Sequence, residues 1–299
     1  DTATIGSPLR PSPPHAAVRR TIRRTNARTG LLCRNSGLHH VDFSRSEYTA
    51  GVRALIRDVS PAFADALSAN PQPIDVELAR QHHAAYRAAL EACGATVLRV
   101  AGDAFHPDCC FVEDTAVVIG GRALITRPGA PSRRGETDAI EEALREAGFD
   151  IATMFEPATL DGGDCLRLGS TIYVGRSART NAEGIAALAT AFPDMTVTAL
   201  DLPPNVLHLK CVVSPLDHER VLLADGTLAH AVFPHAVIVP AAETYAANCV
   251  AIDGHAIVAD GFPATREAIE RAGLVVHLVP TSEVRKADGS LTCQSILLP

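Results

Sequence analysis

Four short segments set charged or sulfur-bearing side chains against β-like apolar runs, where burial is costly unless the groups are paired or hydrogen-bonded. The first is Asp108-Cys109-Cys110-Phe111-Val112-Glu113-Asp114-Thr115, with two adjacent carboxylates ahead of a buried-looking stretch. Taken alone, Glu113 and Asp114 read first as solvated acids at a strand end; the chemical reading is a site for a guanidinium or an ammonium. The second is Asp161-Gly162-Gly163-Asp164, ordinarily a turn, in which the glycines could also admit a close backbone approach. In the third, His208 stands between Leu207 and Leu209, where a lone histidine is more often a satisfied core residue than a catalyst. The fourth is Asp288-Gly289-Ser290-Leu291-Thr292-Cys293-Gln294-Ser295, a thiol among hydroxyl and amide groups after a glycine turn. A cysteine becomes reactive only with a favourable local field and access. Together, a cysteine, a histidine and surplus carboxylates suggest a thiolate nucleophile, a general acid/base and a clamp for a cation.

The elements that must position these residues alternate regularly from about residue 47. Residues 74–92 read as a helix capped by Asp75 and ended by Gly94, and Asn181 caps a second helix reaching Ala191. Helices are also expected over 134–147 and 264–272, each followed by a glycine. Strands are expected over 95–100, 109–119, 122–126, 151–154, 165–168, 171–174, 207–215, 220–223, 236–239, 248–252, 274–279 and 292–298. Gly120-Gly121 predicts a tight hairpin. The rhythm is strand–strand–helix–strand, an α/β chain with hairpins, and units of roughly 50–60 residues hint at a structural repeat.

Composition narrows the function. Of the 299 residues 47% are apolar and 20% charged, enough for a substantial core, and the formal net charge is -7 with no Trp. Nucleic-acid binding by a basic face or by aromatic stacking is therefore disfavoured. No apolar run approaches the roughly 18 residues needed to span a bilayer. No glycine-rich phosphate-binding motif is present. The eight cysteines form no C-x-x-C pair, so free thiols of a reduced, cytoplasmic protein are expected. Residues 1–40 differ: they carry seven arginines, Asp1 is their sole acidic residue, and no apolar secretory core follows. They are read as a disordered or extraneous extension, with a processed or truncated start, and 41–299 as one catalytic domain.

Taken in order, the segments closely resemble the dimethylarginine dimethylaminohydrolase family of guanidino-group-modifying enzymes. The matching stretches include V-R-A-L at 52–55, V-E-L-A-R-Q-H-H-A-A-Y at 76–86, P-D-C-C-F-V-E-D-T-A-V-V at 107–118 and A-L-I-T-R-P-G-A-P-S-R-R at 123–134. They continue with A-T-L-D-G-G-D-C at 158–165, V-G-R-S-A-R-T-N at 174–181, L-H-L-K at 207–210, A-A-N-C at 246–249 and D-G-S-L-T-C at 288–293. The resemblance implies a five-bladed α/β propeller of ββαβ units with its active site in the central channel. It implies Cys293 as nucleophile, His208 as general acid/base and Asp161 as the carboxylate orienting it. It further implies Glu113 and Asp114 around the substrate guanidinium, Asp108 at its α-ammonium, Arg133 and Arg179 on its α-carboxylate, and Asp288 at the mouth of the nucleophile loop. The expected reaction converts methylated arginine to citrulline and an amine through a covalent cysteine adduct, without metal or organic cofactor. The small-molecule substrate would be the partner, and a homodimer is admitted. Two other readings stay open: an arginine deiminase-like amidinohydrolase, and a non-catalytic binder of cationic amino acids. Around residues 60–70, where relatives carry a lid, the sequence diverges and no lid contact is assigned.

Overall fold

A computed structural model describes residues 51–299. The expectations for residues 1–40, and for where the catalytic domain begins, lie outside the described residues. The described chain makes five three-stranded sheets. Strands β1 (Arg53–Arg57) and β2 (Thr96–Val100) flank helix α1 (Val76–Ala92). The second sheet has β3 (Ala116–Ile119), β4 (Arg122–Ile125) and, after α2 (Thr137–Glu146), β5 (Asp150–Thr153). The third has β6 (Cys165–Leu168), β7 (Thr171–Arg176), α3 (Ala182–Ala191) and β8 (Thr196–Asp201). The fourth has β9 (Val213–Pro215), β10 (Val221–Ala224) and β11 (Ala236–Val239). The fifth has β12 (Val250–Ile252), β13 (His255–Ala259), α4 (Pro263–Arg271) and β14 (Val275–Val279). A short helix α5 (Ser282–Lys286) leads to β15 (Ile296–Leu298), which returns to pair antiparallel with β1.

Each sheet repeats one pattern. Its first two strands are antiparallel and the last two parallel, as in β3–β4 and β4–β5. A parallel pair needs a crossover, and four of the five crossovers contain an α-helix. In the fourth unit the crossover from β10 to β11 contains only a 3-10 turn, His230–Val232. The expected five-bladed propeller of ββαβ units is thus observed, with one blade lacking its α-helix. Because β15 completes the blade begun by β1, the two ends of the described chain close the ring. No described helix is long and apolar enough to cross a membrane.

Local chemistry explains the elements. The Asp75 side chain accepts from the amides of Glu77 and Leu78, and Asn181 accepts from Gly184, so both anticipated caps form. In α1, Ala79, His82, His83, Tyr86 and Leu90 are buried, the spacing of a single helix face. Blade cores are apolar: Leu55, Val112, Ile125, Ile140 and Leu144 cluster between the first and second units. Each such side chain fully removed from water contributes about 1.5–3 kcal/mol before entropy is counted.

The first strands of the blades surround one cavity of about 210 Å³, lined by Val117, Leu166, Pro215, Val250 and Ile296 from β3, β6, β9, β12 and β15. Each of these strands is entered through a 3-10 turn: Val112–Thr115, Gly162–Asp164, Leu209–Cys211, Ala241–Ala247 and Thr292–Gln294. The sequence predicts strands through three of these turns, over 109–115, 207–212 and 292–295. Their apolar and β-branched residues suit a strand, but the chain there curls before it pairs.

Candidate active site

The five entry turns carry nearly all the chemistry-bearing residues. Glu113 and Asp114 lie in the first, Asp161 caps the second, His208 caps the third and Cys293 lies in the last. Asn248 terminates the remaining one. Five repeats of one local shape therefore bring residues up to 180 positions apart to a common centre, as the 2.7 Å bond from Thr292 Oγ1 to Glu113 Oε2 illustrates.

His208 is buried, with Nε2 3.0 Å from Asp161 Oδ2. The opposite oxygen of Asp161 accepts from the Gly129 amide at 2.8 Å, and Arg179 Nη1 approaches Oδ2 at 3.2 Å. Burial disfavours the imidazolium, but the carboxylates of Asp114, Asp161 and Asp164 outweigh it and raise the pKa of His208 to about 9. Asp114 moves the other way: burial opposes ionisation, yet His208 and Arg133 hold its carboxyl down at about 2.

The glycines of Asp-Gly-Gly-Asp serve close approach, since neither has positive φ. A Cβ on Gly162 would sit 2.0 Å from the Glu113 carbonyl oxygen, and one on Gly163 would sit 2.9 Å from both Asp114 Oδ1 and His208 Nδ1. The Gly163 amide donates to Asp114 Oδ1 at 3.0 Å. Asp164, absent from the sequence-derived site, accepts from the Leu209 amide at 3.0 Å and from Ser177 and Thr180 hydroxyls at 2.5 and 2.6 Å. It thereby fixes the residue after His208. Its signal in the sequence was its place three residues beyond Asp161, directly before a strand.

Cys293 is partly exposed within a braced turn. Asn248 accepts from the Thr292 amide and donates to Thr292 Oγ1, both at 2.9 Å. On the other side, Gln294 Oε1 is 3.1 Å from His83 Nδ1, and Ser295 Oγ is 2.7 Å from the Tyr86 hydroxyl. Burial, together with the Glu113 and Asp114 carboxylates, pushes the Cys293 thiol well above its ordinary pKa. Asp114 is the electrostatic link between Cys293 and His208, because it raises both.

The remaining expected residues fall into two groups. Glu113 has Oε1 2.6 Å from Lys210 Nζ and Oε2 on Thr292, and it lines the central cavity with Lys210, whereas Cys293, His208 and Asp161 do not. Arg133 is 4% exposed and turned inward. Its Nη1 donates to Asp114 at 2.6 Å, its Nη2 to the Phe111 carbonyl and Glu136 at 2.8 Å, and its Nε to Glu136 at 3.1 Å. Its nitrogens are therefore shared among protein acceptors, and Arg179 is the more accessible cation. Asp108 accepts from the Leu67 amide at 3.1 Å, and Asp288 accepts from the Ala69 amide at 2.5 Å. Those two bonds locate the segment around 60–70 that the sequence could not place: it is tied to both Asp108 and Asp288.

A family model described as N,N dimethylarginine dimethylhydrolase, eukaryotic, matches residues 58–238. An N(G),N(G)-dimethylarginine dimethylaminohydrolase from Pseudomonas aeruginosa is 39% identical, over 74% of this chain and 89% of its own length. One from Streptomyces coelicolor is also 39% identical, over 82% of this chain and 96% of its own. A solved structure of the Pseudomonas aeruginosa enzyme, a cysteine-to-serine mutant complexed with citrulline, superposes with a TM-score of 0.79 at 34% identity, covering 82% of this chain and 98% of that one.

Proposed function

Because the chain belongs to the dimethylarginine dimethylaminohydrolase family, we propose that it hydrolyses N-methylated arginine to citrulline and dimethylamine or methylamine, with Cys293 as nucleophile. The observation that carries this reading is an imidazole held by Asp161 and charged by three carboxylates, sharing Asp114 with a thiol in a braced turn.

The resting electrostatics divide the labour. With its pKa near 9, His208 is an imidazolium at neutral pH, ready to protonate a leaving amine. The Cys293 thiol is held protonated by burial and by the acids beside it. A guanidinium entering beside Asp114 neutralises that field, so the thiol releases its proton to solvent as the substrate binds. The thiolate attacks the guanidinium carbon, forming a C–S bond. His208 gives its proton to the methylated nitrogen, and the C–N bond breaks to release the amine. Neutral His208 then takes a proton from water, whose oxygen attacks the same carbon. Cleavage of the C–S bond releases citrulline and the Cys293 sulfur.

Asp114 fixes the guanidinium plane by charge-assisted hydrogen bonds, while Glu113 holds the nucleophile turn through Thr292. Asp108, Asp288 and the 60–70 segment enclose the amino-acid end of the substrate, with Arg179 for its carboxylate and Arg133 as the brace of Asp114. Citrulline formation from asymmetric dimethylarginine and from arginine, assayed side by side, tests the substrate class. Preference for the methylated substrate is expected; preference for arginine would assign a deiminase instead.

A further inference from the structure

A second cluster of metal-ligating side chains lies outside the active site. Cys93, the C-cap of α1, meets His255 at the start of β13 and His277 in the middle of β14. One donor atom from each, a sulfur and two ring nitrogens, lies within 4.8 Å of the others. The histidines face each other nitrogen to nitrogen, Nδ1 of His255 being 3.0 Å from Nε2 of His277. Two imidazoles bound to one tetrahedral ion at about 2.0–2.1 Å would hold their nitrogens only slightly farther apart. Cys93 is buried and both histidines are half-buried, so the cluster keeps some access to solvent.

We propose that Cys93, His255 and His277 form a binding site for a zinc-class divalent ion, with solvent completing the coordination. The donor set is the argument for the class: one thiolate and two imidazoles suit a borderline-soft ion, and magnesium or calcium, which take oxygen ligands, do not fit it. Burial by itself raises the Cys93 thiol to about 11, and a bound dication reverses that by deprotonating its ligand. Two of the ligands stand on the paired strands β13 and β14, and the third ends α1, which meets both strands through packing. An ion here clips the end of that helix to the fifth blade. The same helix carries His83 and Tyr86, which brace the residues after Cys293.

Cobalt(II) titration of the metal-stripped full chain tests the site, because thiolate ligation gives a sulfur-to-cobalt charge-transfer band. The band is expected in the unaltered protein and in Cys293→Ser, and is expected to vanish in Cys93→Ala. Zinc affinity, measured by chelator competition, is expected to fall at least about tenfold in His255→Ala/His277→Ala. A hundredfold excess of zinc over its Kd is expected to raise the melting temperature by roughly 5 °C or more, and not in the double histidine variant. Three results would overturn the proposal: no charge-transfer band in the unaltered chain, loss of the band in Cys293→Ser, or unchanged zinc affinity in the double histidine variant. The middle result would place the metal on the catalytic thiol.

Discussion

At the scale of single residues the proposed chemistry rests on two upward shifts within one cluster of charges. Burial and the carboxylates of Glu113 and Asp114 keep Cys293 a thiol, and Asp114 also helps to keep His208 an imidazolium. The sign of the pH dependence follows. A group with a raised pKa stays protonated until the pH passes that value, so His208 is competent as an acid below about 9 and loses the role above it. The alkaline limb of kcat/KM is therefore expected near pH 9. Removing the negative charge in Asp161→Asn should move that limb to lower pH and reduce the rate, as a pH–rate profile of both proteins would reveal; an unmoved limb would separate Asp161 from His208 function. Cys293→Ser should abolish turnover while leaving the melting temperature nearly unchanged, checked by citrulline assay and thermal unfolding. The sequence named His208 and Asp161 through resemblance, but their 3.0 Å contact joins residues 47 positions apart that no spacing rule connects.

At the scale of elements, the unit of design is the 3-10 turn ahead of each blade's first strand. It lifts side chains toward the channel end before the backbone commits to pairing. The caps of α1 and α3 were legible because Asp75 and Asn181 act within three residues. The turns were not legible, because Val112, Leu209 and Thr292 look like strand residues and only long-range bonds make them curl. Strand β13 was missed altogether, since His255-Ala256-Ile257-Val258-Ala259 carries no polar alternation and is buried over its last four residues. Close approach between turns makes a specific prediction. With Glu113 O only 2.0 Å from the position of an added Cβ, Gly162→Ala must push two turns apart. A loss of about 1–3 kcal/mol is expected, as in overpacked cores, measurable by denaturant unfolding. Thr292→Val removes the bond to Glu113 and the one from Asn248 with little change in volume. It is expected to lower kcat more than it raises KM, in steady-state assays of citrulline release.

At the scale of the whole molecule, closure of the ring positions Cys293, the proposed nucleophile. Cys293 lies three residues before β15, the strand that completes the first blade by pairing Leu55 with Ile296 and Arg53 with Leu298. The sequence hinted at units of roughly 50–60 residues, longer than the blades, whose first strands begin at 116, 165, 213, 250 and 296; the resemblance implied five blades, but the pairing of first and last strands is a non-local fact that no local pattern carries. Deleting residues 296–299 should therefore lower stability and activity together, whereas a three-residue cut at the exposed 217–219 turn should spare both; thermal unfolding with parallel assays distinguishes the two. The most direct test of the central claim is intact-protein mass spectrometry after millisecond quenching of a reaction with asymmetric dimethylarginine. The account predicts a transient mass increase of the protein, equal to the substrate less dimethylamine, that forms more slowly in His208→Ala and is absent in Cys293→Ser. Citrulline formation by Cys293→Ser at the rate of the unaltered enzyme, with no adduct at any time, would contradict it.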